Sequence, residues 1–152
     1  MQIGTDDPHR ADVLALLEEH LEDMYATSPP ESVHALEPGE LAGPGMRFWT
    51  ARRDGVLLGC VALKSHDADH VELKSMRTAS VARRQGVAAA LLEHVLAEAR
   101  ALGASRISLE TGVEDYFSPA RALYGAHGFV PCAPFADYVS DPNSVFLTRP
   151  LP

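Results

Sequence analysis

Six consecutive residues, Arg83-Arg84-Gln85-Gly86-Val87-Ala88, carry the first chemistry legible in this chain. A strand-like run, VELKSMRT, ends shortly before them, and a helical pattern opens at Gly86. The first N–H groups of a helix have no intrahelical acceptor, and the aligned peptide dipoles concentrate about half a positive charge there. Such a turn binds anions, phosphate above all. Gly86 lets a ligand approach the backbone, the small Ala88 leaves the helix start unobstructed, and Arg83 and Arg84 add fixed charge. Two phosphate loops are excluded at once. The Gly-Lys-Ser/Thr of a Walker loop is absent, and so are the three spaced glycines of a dinucleotide fingerprint. A second cluster, His66-Asp67-Ala68-Asp69-His70, has metal-ligand residue types but reads as a turn between strands, with no helical H-x-x-x-H near it, so no metal is expected.

The elements that must hold the anion turn follow from periodicity. Asp7-Pro8 reads as an N-cap and first-turn proline, with Val13, Leu17, Leu21 and Met24 recurring at helical spacing as far as Ser28-Pro29-Pro30. A loop-rich segment then reaches Gly45. Phe48-Trp49-Thr50, the hairpin signal Asp54-Gly55, VLLGCVAL and VELKSMRT predict an antiparallel meander. After Gly86 the apolar period becomes helical (Ala88, Leu91, Leu92, Val95, Ala99, Leu102), with Gly103 as the stop. Ile107, Leu109 and Thr111 alternate as a strand, and Ser118-Pro119 opens a short helix ended by Gly128. Phe129-Val130 and Val145-Phe146-Leu147 close the sheet. The order predicts one α+β domain over residues 1–152 with a central mixed sheet.

Composition narrows the function. The chain has 152 residues, 13 basic against 21 acidic, for a net charge of −8. Nucleic-acid binders show the opposite imbalance because phosphate neutralisation supplies most of their affinity. Anionic membranes are disfavoured for the same reason, and the longest apolar stretch, Gly55 to Leu63, falls far short of the ~20 residues of a bilayer span. The acidic start MQIGTDDPHR is unlike a signal peptide. Cys60 and Cys132 read as reduced, buried small hydrophobes. A cytoplasmic protein is expected, with no nucleic-acid or membrane partner.

R-x-x-G-x-A at Arg83 to Ala88, opening a long helix after a strand, resembles the acetyl-CoA signature of the GNAT superfamily of N-acetyltransferases. Leu123-Tyr124-Gly125-Ala126-His127-Gly128-Phe129 matches that family's Leu-Tyr-x-x-x-Gly-Phe element at the corresponding place. The element order agrees over nearly the full length, best from Glu72 to Phe129, and the Asp141-Pro142-Asn143-Ser144 stretch looks like a subgroup of small stand-alone bacterial members. The resemblance implies a mostly antiparallel sheet whose signature strand and the next one splay apart to admit the cofactor's pantetheine arm. It implies that the backbone of Met76 and Thr78 pairs with that arm, that the N–H groups from Arg84 through Gln85, Gly86 and Val87 to Ala88 hold the pyrophosphate, with Arg83 beside them, and that an N–H near Met76 or Arg77 holds the oxyanion.

Amine acetylation needs a neutral nucleophile, and an alkyl amine of pKa near 10.4 is neutral only about once in 2,500 molecules at pH 7. A carboxylate can take the proton. The resemblance points to Glu72 as that base, with Glu110 as the substitute, and to Tyr124 as the acid for the departing thiolate. The acceptor would lie between the first helix with its loop (Glu31, Ser32, His34) and the region of Asp137, Tyr138 and Asn143, which the sequence does not rank. The expectation is direct transfer from acetyl-CoA to a primary amine of a small molecule or protein, with a homodimer open. Two other readings also stay open: a non-catalytic acyl-CoA-binding sensor or interaction module, and an acyltransferase with another acyl donor or a hydroxyl acceptor.

Overall fold

In the computed structural model, which describes residues 1–152, the chain runs β1 (Gln2–Thr5), α1 (Ala11–Thr27), α2 (Pro38–Leu41), β2 (Met46–Arg53), β3 (Val56–Ser65), β4 (His70–Thr78), α3 (Val87–Ala101), β5 (Arg106–Gly112), α4 (Ser118–Ala126), β6 (Val130–Pro131) and β7 (Ser144–Pro150). The seven strands form one sheet in the order β1-β2-β3-β4-β5-β7-β6. Every neighbouring pair is antiparallel except β4 with β5. No helix is long and apolar enough to cross a membrane.

Alternation along the strands sends side chains to two faces. Val61 and Leu63 of β3, Val71 and Leu73 of β4 and Ile107 and Leu109 of β5 pack with Leu91, Leu92 and Val95 of α3 and Tyr124 of α4. Cys60 and Ala62 turn the other way, onto Val13, Leu16 and Leu17 of α1 and Leu41 of α2. The sheet thus separates two compartments. The α3/α4 side carries the larger core.

Several local expectations hold. Asp54 and Gly55 both take positive φ, 51° and 80°, as a two-residue hairpin turn requires. Others need correction. Asp7-Pro8 does not cap α1: the Asp7 carboxylate instead accepts from the His9 N–H at 2.8 Å, and the helix begins after Arg10. A short polar side chain has bound a nearby N–H in a turn, the alternative to capping. The sequence reading also missed β1, because four residues are too few to show a period; pairing with β2 makes that strand. Leu102 ends α3 38% exposed rather than in the core, and Cys132 is only half-buried.

Gly59 marks the tightest approach of β3 to its neighbours. A Cβ there would lie 2.7 Å from the Arg77 carbonyl and 3.1 Å from the Val87 and Leu91 side chains. Gly59→Ala is expected to cost about 1–3 kcal/mol, measured by urea unfolding, because β3 and the start of α3 cannot both yield. An unchanged midpoint would mean the contact relaxes freely.

Candidate active site

The parallel pair is short. β4 and β5 are registered only at His70–Arg106, Val71–Ile107 and Glu72–Ser108, after which the strands are no longer paired. Both strands continue, β4 to Thr78 and β5 to Gly112, so the sheet opens past Glu72. On its other side β4 carries a bulge: Cys60 pairs with Arg77 and Ala62 with Lys74, leaving Ser75 and Met76 opposite Val61. Ser75 supplies the irregularity with φ of 53°. A bulge leaves one residue out of the ladder and turns its strand.

At the start of α3, Gly86 is the N-cap at φ 78° and Arg84 is also left-handed at 63°. The first helical bond is Ala90 N–H to the Gly86 carbonyl, and no backbone N–H from Arg83 to Ala89 donates to a protein acceptor. Arg83, Arg84, Gln85 and Gly86 are exposed, Val87 is buried and Ala88 half-buried. Seven consecutive N–H groups without a protein acceptor thus stand at the positive end of the helix.

The α1-side compartment holds the acid–base groups. Glu72 is 2% exposed: Oε1 lies 2.8 Å from His66 Nε2, and Oε2 accepts from the Tyr138 hydroxyl at 2.6 Å and faces Lys74 Nζ at 3.4 Å. Lys74 also donates to the Tyr138 hydroxyl at 2.8 Å and to the His34 carbonyl at 3.1 Å. Glu72 is therefore fully engaged by its neighbours. Glu110, largely buried, stands two residues past the last position at which β5 pairs with β4 and opposite Phe146 of β7. Burial pushes its carboxyl up to about 7; Ser144 and Lys74 ease the charge, while Glu72 and Asp141 oppose it. The Ser144 hydroxyl is buried and has no hydrogen-bond partner of standard geometry.

Tyr124 comes from the opposite side of the sheet, 6% exposed and edge-on to Phe129 at 5.8 Å. Burial, and then the Glu110 charge, push its phenol up. Arg77 is 5% exposed, and its guanidinium is turned to α1, pairing with Glu19 and with Asp23 at 2.8 Å and donating to the Tyr116 hydroxyl at 2.7 Å. Its side chain thus ties β4 to α1 and to the segment at Tyr116. Met76 and Thr78 are half-buried at the open end of β4.

The loops that sequence could not rank are sorted by their bonds. Ser32 donates to Asp141 at 2.7 Å, Asn143 reaches the Ser32 hydroxyl at 3.4 Å, and the His34 and Tyr138 rings meet edge-on at 5.1 Å. The two walls therefore meet through Ser32, His34, Tyr138 and Asn143, whereas Glu31 and Asp137 are exposed. His66 and His70 do not converge on an ion: His66 meets Glu72, and His70 meets the Ser108 hydroxyl at 2.8 Å. Asp67 closes the turn through the Asp69 and His70 N–H groups. Lys74 and His66 are the residues sequence reasoning undervalued. Lys74 lies at i+2 from Glu72, on the same strand face, and that spacing was the available signal.

A mixed sheet opened between its one parallel pair, beside a helix start with unpaired N–H groups, is the arrangement expected of acyltransferases that draw on a CoA thioester. The comparisons agree with this class. The chain belongs to the acetyltransferase (GNAT) family, whose model matches residues 13–129. It is 50% identical over 151 residues to the uncharacterized N-acetyltransferase YsnE of Bacillus subtilis, covering 99% of this chain and 100% of that one. Among solved structures it resembles an acyl-CoA N-acyltransferase from Klebsiella pneumoniae (TM-score 0.79, 28% identity, 99% and 97% of the two chains). It shares its fold with a GNAT acetyltransferase from Elizabethkingia anophelis with acetyl-CoA bound (TM-score 0.69, 17% identity, 99% and 97% covered).

Proposed function

We propose that this chain, acting as a single domain in the cytoplasm, transfers the acetyl group of acetyl-CoA directly to a primary amine of a small molecule or a protein, with Glu110 as the proton acceptor. The observation that carries this reading is the buried Glu110 carboxyl at the point where β4 and β5 part, balanced near neutrality. A base is most effective when its pKa lies near the working pH. Glu72, the first candidate from sequence, has both oxygens committed to His66, Tyr138 and Lys74 and serves better as a fixed charge. Two free cysteines support the cytoplasmic setting.

In this mechanism the N–H groups from Arg84 to Ala88, with the Arg83 charge, hold the pyrophosphate, and the backbone of Met76 to Thr78 receives the pantetheine arm as an added strand. The family match and the Elizabethkingia neighbour with acetyl-CoA bound support this donor. Glu110 takes one proton from the ammonium, and the neutral nitrogen attacks the thioester carbonyl. An N–H at the Met76–Arg77 bulge faces the oxyanion. The C–S bond breaks, and the second proton shed by nitrogen ends on the thiol by way of Tyr124. Once protonated, Glu110 no longer raises the Tyr124 phenol, so the first transfer makes the second easier.

Acetyl-CoA at 100 times its dissociation constant should stabilise the fold by about 2.7 kcal/mol in thermal unfolding. Thiol release across a panel of amines should then identify an acceptor. Absence of a thermal shift would sink the donor assignment. A shift with thiol release only on hydroxyl acceptors would sink the amine.

A further inference from the structure

Lys74 is an odd residue to bury in a cleft meant for an ammonium group. Its side chain is 9% exposed, and it donates to the His34 carbonyl and the Tyr138 hydroxyl, with the Glu72 carboxylate 3.4 Å away as its ion-pair partner. Glu72 is equally constrained, its two oxygens held by His66, Tyr138 and Lys74. Neither charge is free to swing out and pair with an acceptor. Strand alternation puts both on the face of the base: Glu72 is opposite Ser108, and Lys74 and Glu110 each lie two residues further along their strands, on that same side of the opening.

We infer that Lys74 and Glu72 are positioning residues for Glu110, two immobilised charges of opposite sign that set, in opposite senses, the pH above which the enzyme turns over. This rests on Glu110 being the proton acceptor. The remaining groups that face it are Asp141 and Tyr138 from the loop before β7, Tyr124 from α4, and Ser144 on β7, with His34 beyond Lys74. Asp141 is held by Ser32 and lies toward solvent, where screening weakens it. Burial pushes both phenols up, and burial followed by the Lys74 charge pushes the His34 imidazole down. The groups of opposite charge type held in place by buried contacts are therefore Lys74 and Glu72. Lys74 favours the carboxylate form of Glu110, and Glu72 disfavours it.

The test is the acid limb of log kcat/KM against pH, below pH 8, for the whole enzyme with acetyl-CoA and one active amine. Lys74→Met should move the limb up by about one unit, a roughly tenfold loss at pH 6 that vanishes by pH 9. Lys74→Arg should restore the wild-type limb. Glu72→Gln, isosteric and neutral, should move it down by a similar amount and carries the test alone if Lys74→Met does not fold. A uniform loss at every pH, or shifts of the same sign, would overturn the inference and leave only a structural role. Glu110→Gln keeps the two readings apart: if its limb persists, Glu110 is not the base; if it vanishes while the other variants leave the limb in place, only the tuning is wrong.

Discussion

Glu110→Gln is expected to lower kcat/KM by about 10²–10⁴-fold while leaving acetyl-CoA binding within a factor of two or three. The amide cannot accept the amine's proton, yet it fills the same space between β4 and β5. The same substitution should raise stability at alkaline pH. The folded-state pKa of Glu110, about 7, lies above its ordinary value of 4.5. A carboxyl raised on folding gives its full stability below pH 4.5, and that stability is lost as pH rises through 7. Ionising it in the fold therefore costs about 3 kcal/mol by pH 8. The variant should accordingly match the wild type near pH 4 and exceed it by up to about 3 kcal/mol at pH 8, read from urea unfolding at the two pH values. Lost activity with a gain in alkaline stability is the mark of a group strained for catalysis. A variant that stays active, or that gains no stability over the wild type at pH 8, would remove Glu110 from that role.

Glu72→Ala is expected to act on the fold instead. The carboxylate is the centre of a buried cluster, so its removal strands the Lys74 ammonium, at 9% exposure, and the Tyr138 hydroxyl without their partner. Breaking one side of a buried ion pair costs about 3–5 kcal/mol, a large part of the 5–15 kcal/mol that holds a domain together. Tyr138 and Lys74 also tie the loops at 34 and 138 to β4, so these loops should loosen first. The check is urea unfolding of Glu72→Ala beside Glu72→Gln, the second keeping most of the hydrogen bonds. Loss of turnover in Glu72→Gln with unchanged stability would instead restore Glu72 as the base.

How much was readable beforehand can be judged residue by residue. Val61 and Leu63 against Leu91 and Val95 follow from strand and helix periods, and those periods gave five of the seven strands and the long helix. Asp54-Gly55 fixed its hairpin because few residues tolerate two successive positive φ angles. The two-residue pairing of β6 and the four residues of β1 carry no period. Only their partners make them strands.

The primary structure alone determined the features in which cause and effect are neighbours in the chain. The free N–H groups at Arg83 to Ala89 belong to this class, because a glycine-led helix start leaves its own donors unpaired whatever surrounds it. Tertiary structure decided which carboxylate burial pushes up toward neutrality. Glu72 and Glu110 are alike as letters on strands, but His66, Tyr138 and Lys74 surround the first, while burial without a hydrogen-bonded cation surrounds the second. Proton affinity depends on desolvation and on charges a few ångströms away, and those come from segments up to 66 residues distant in the chain.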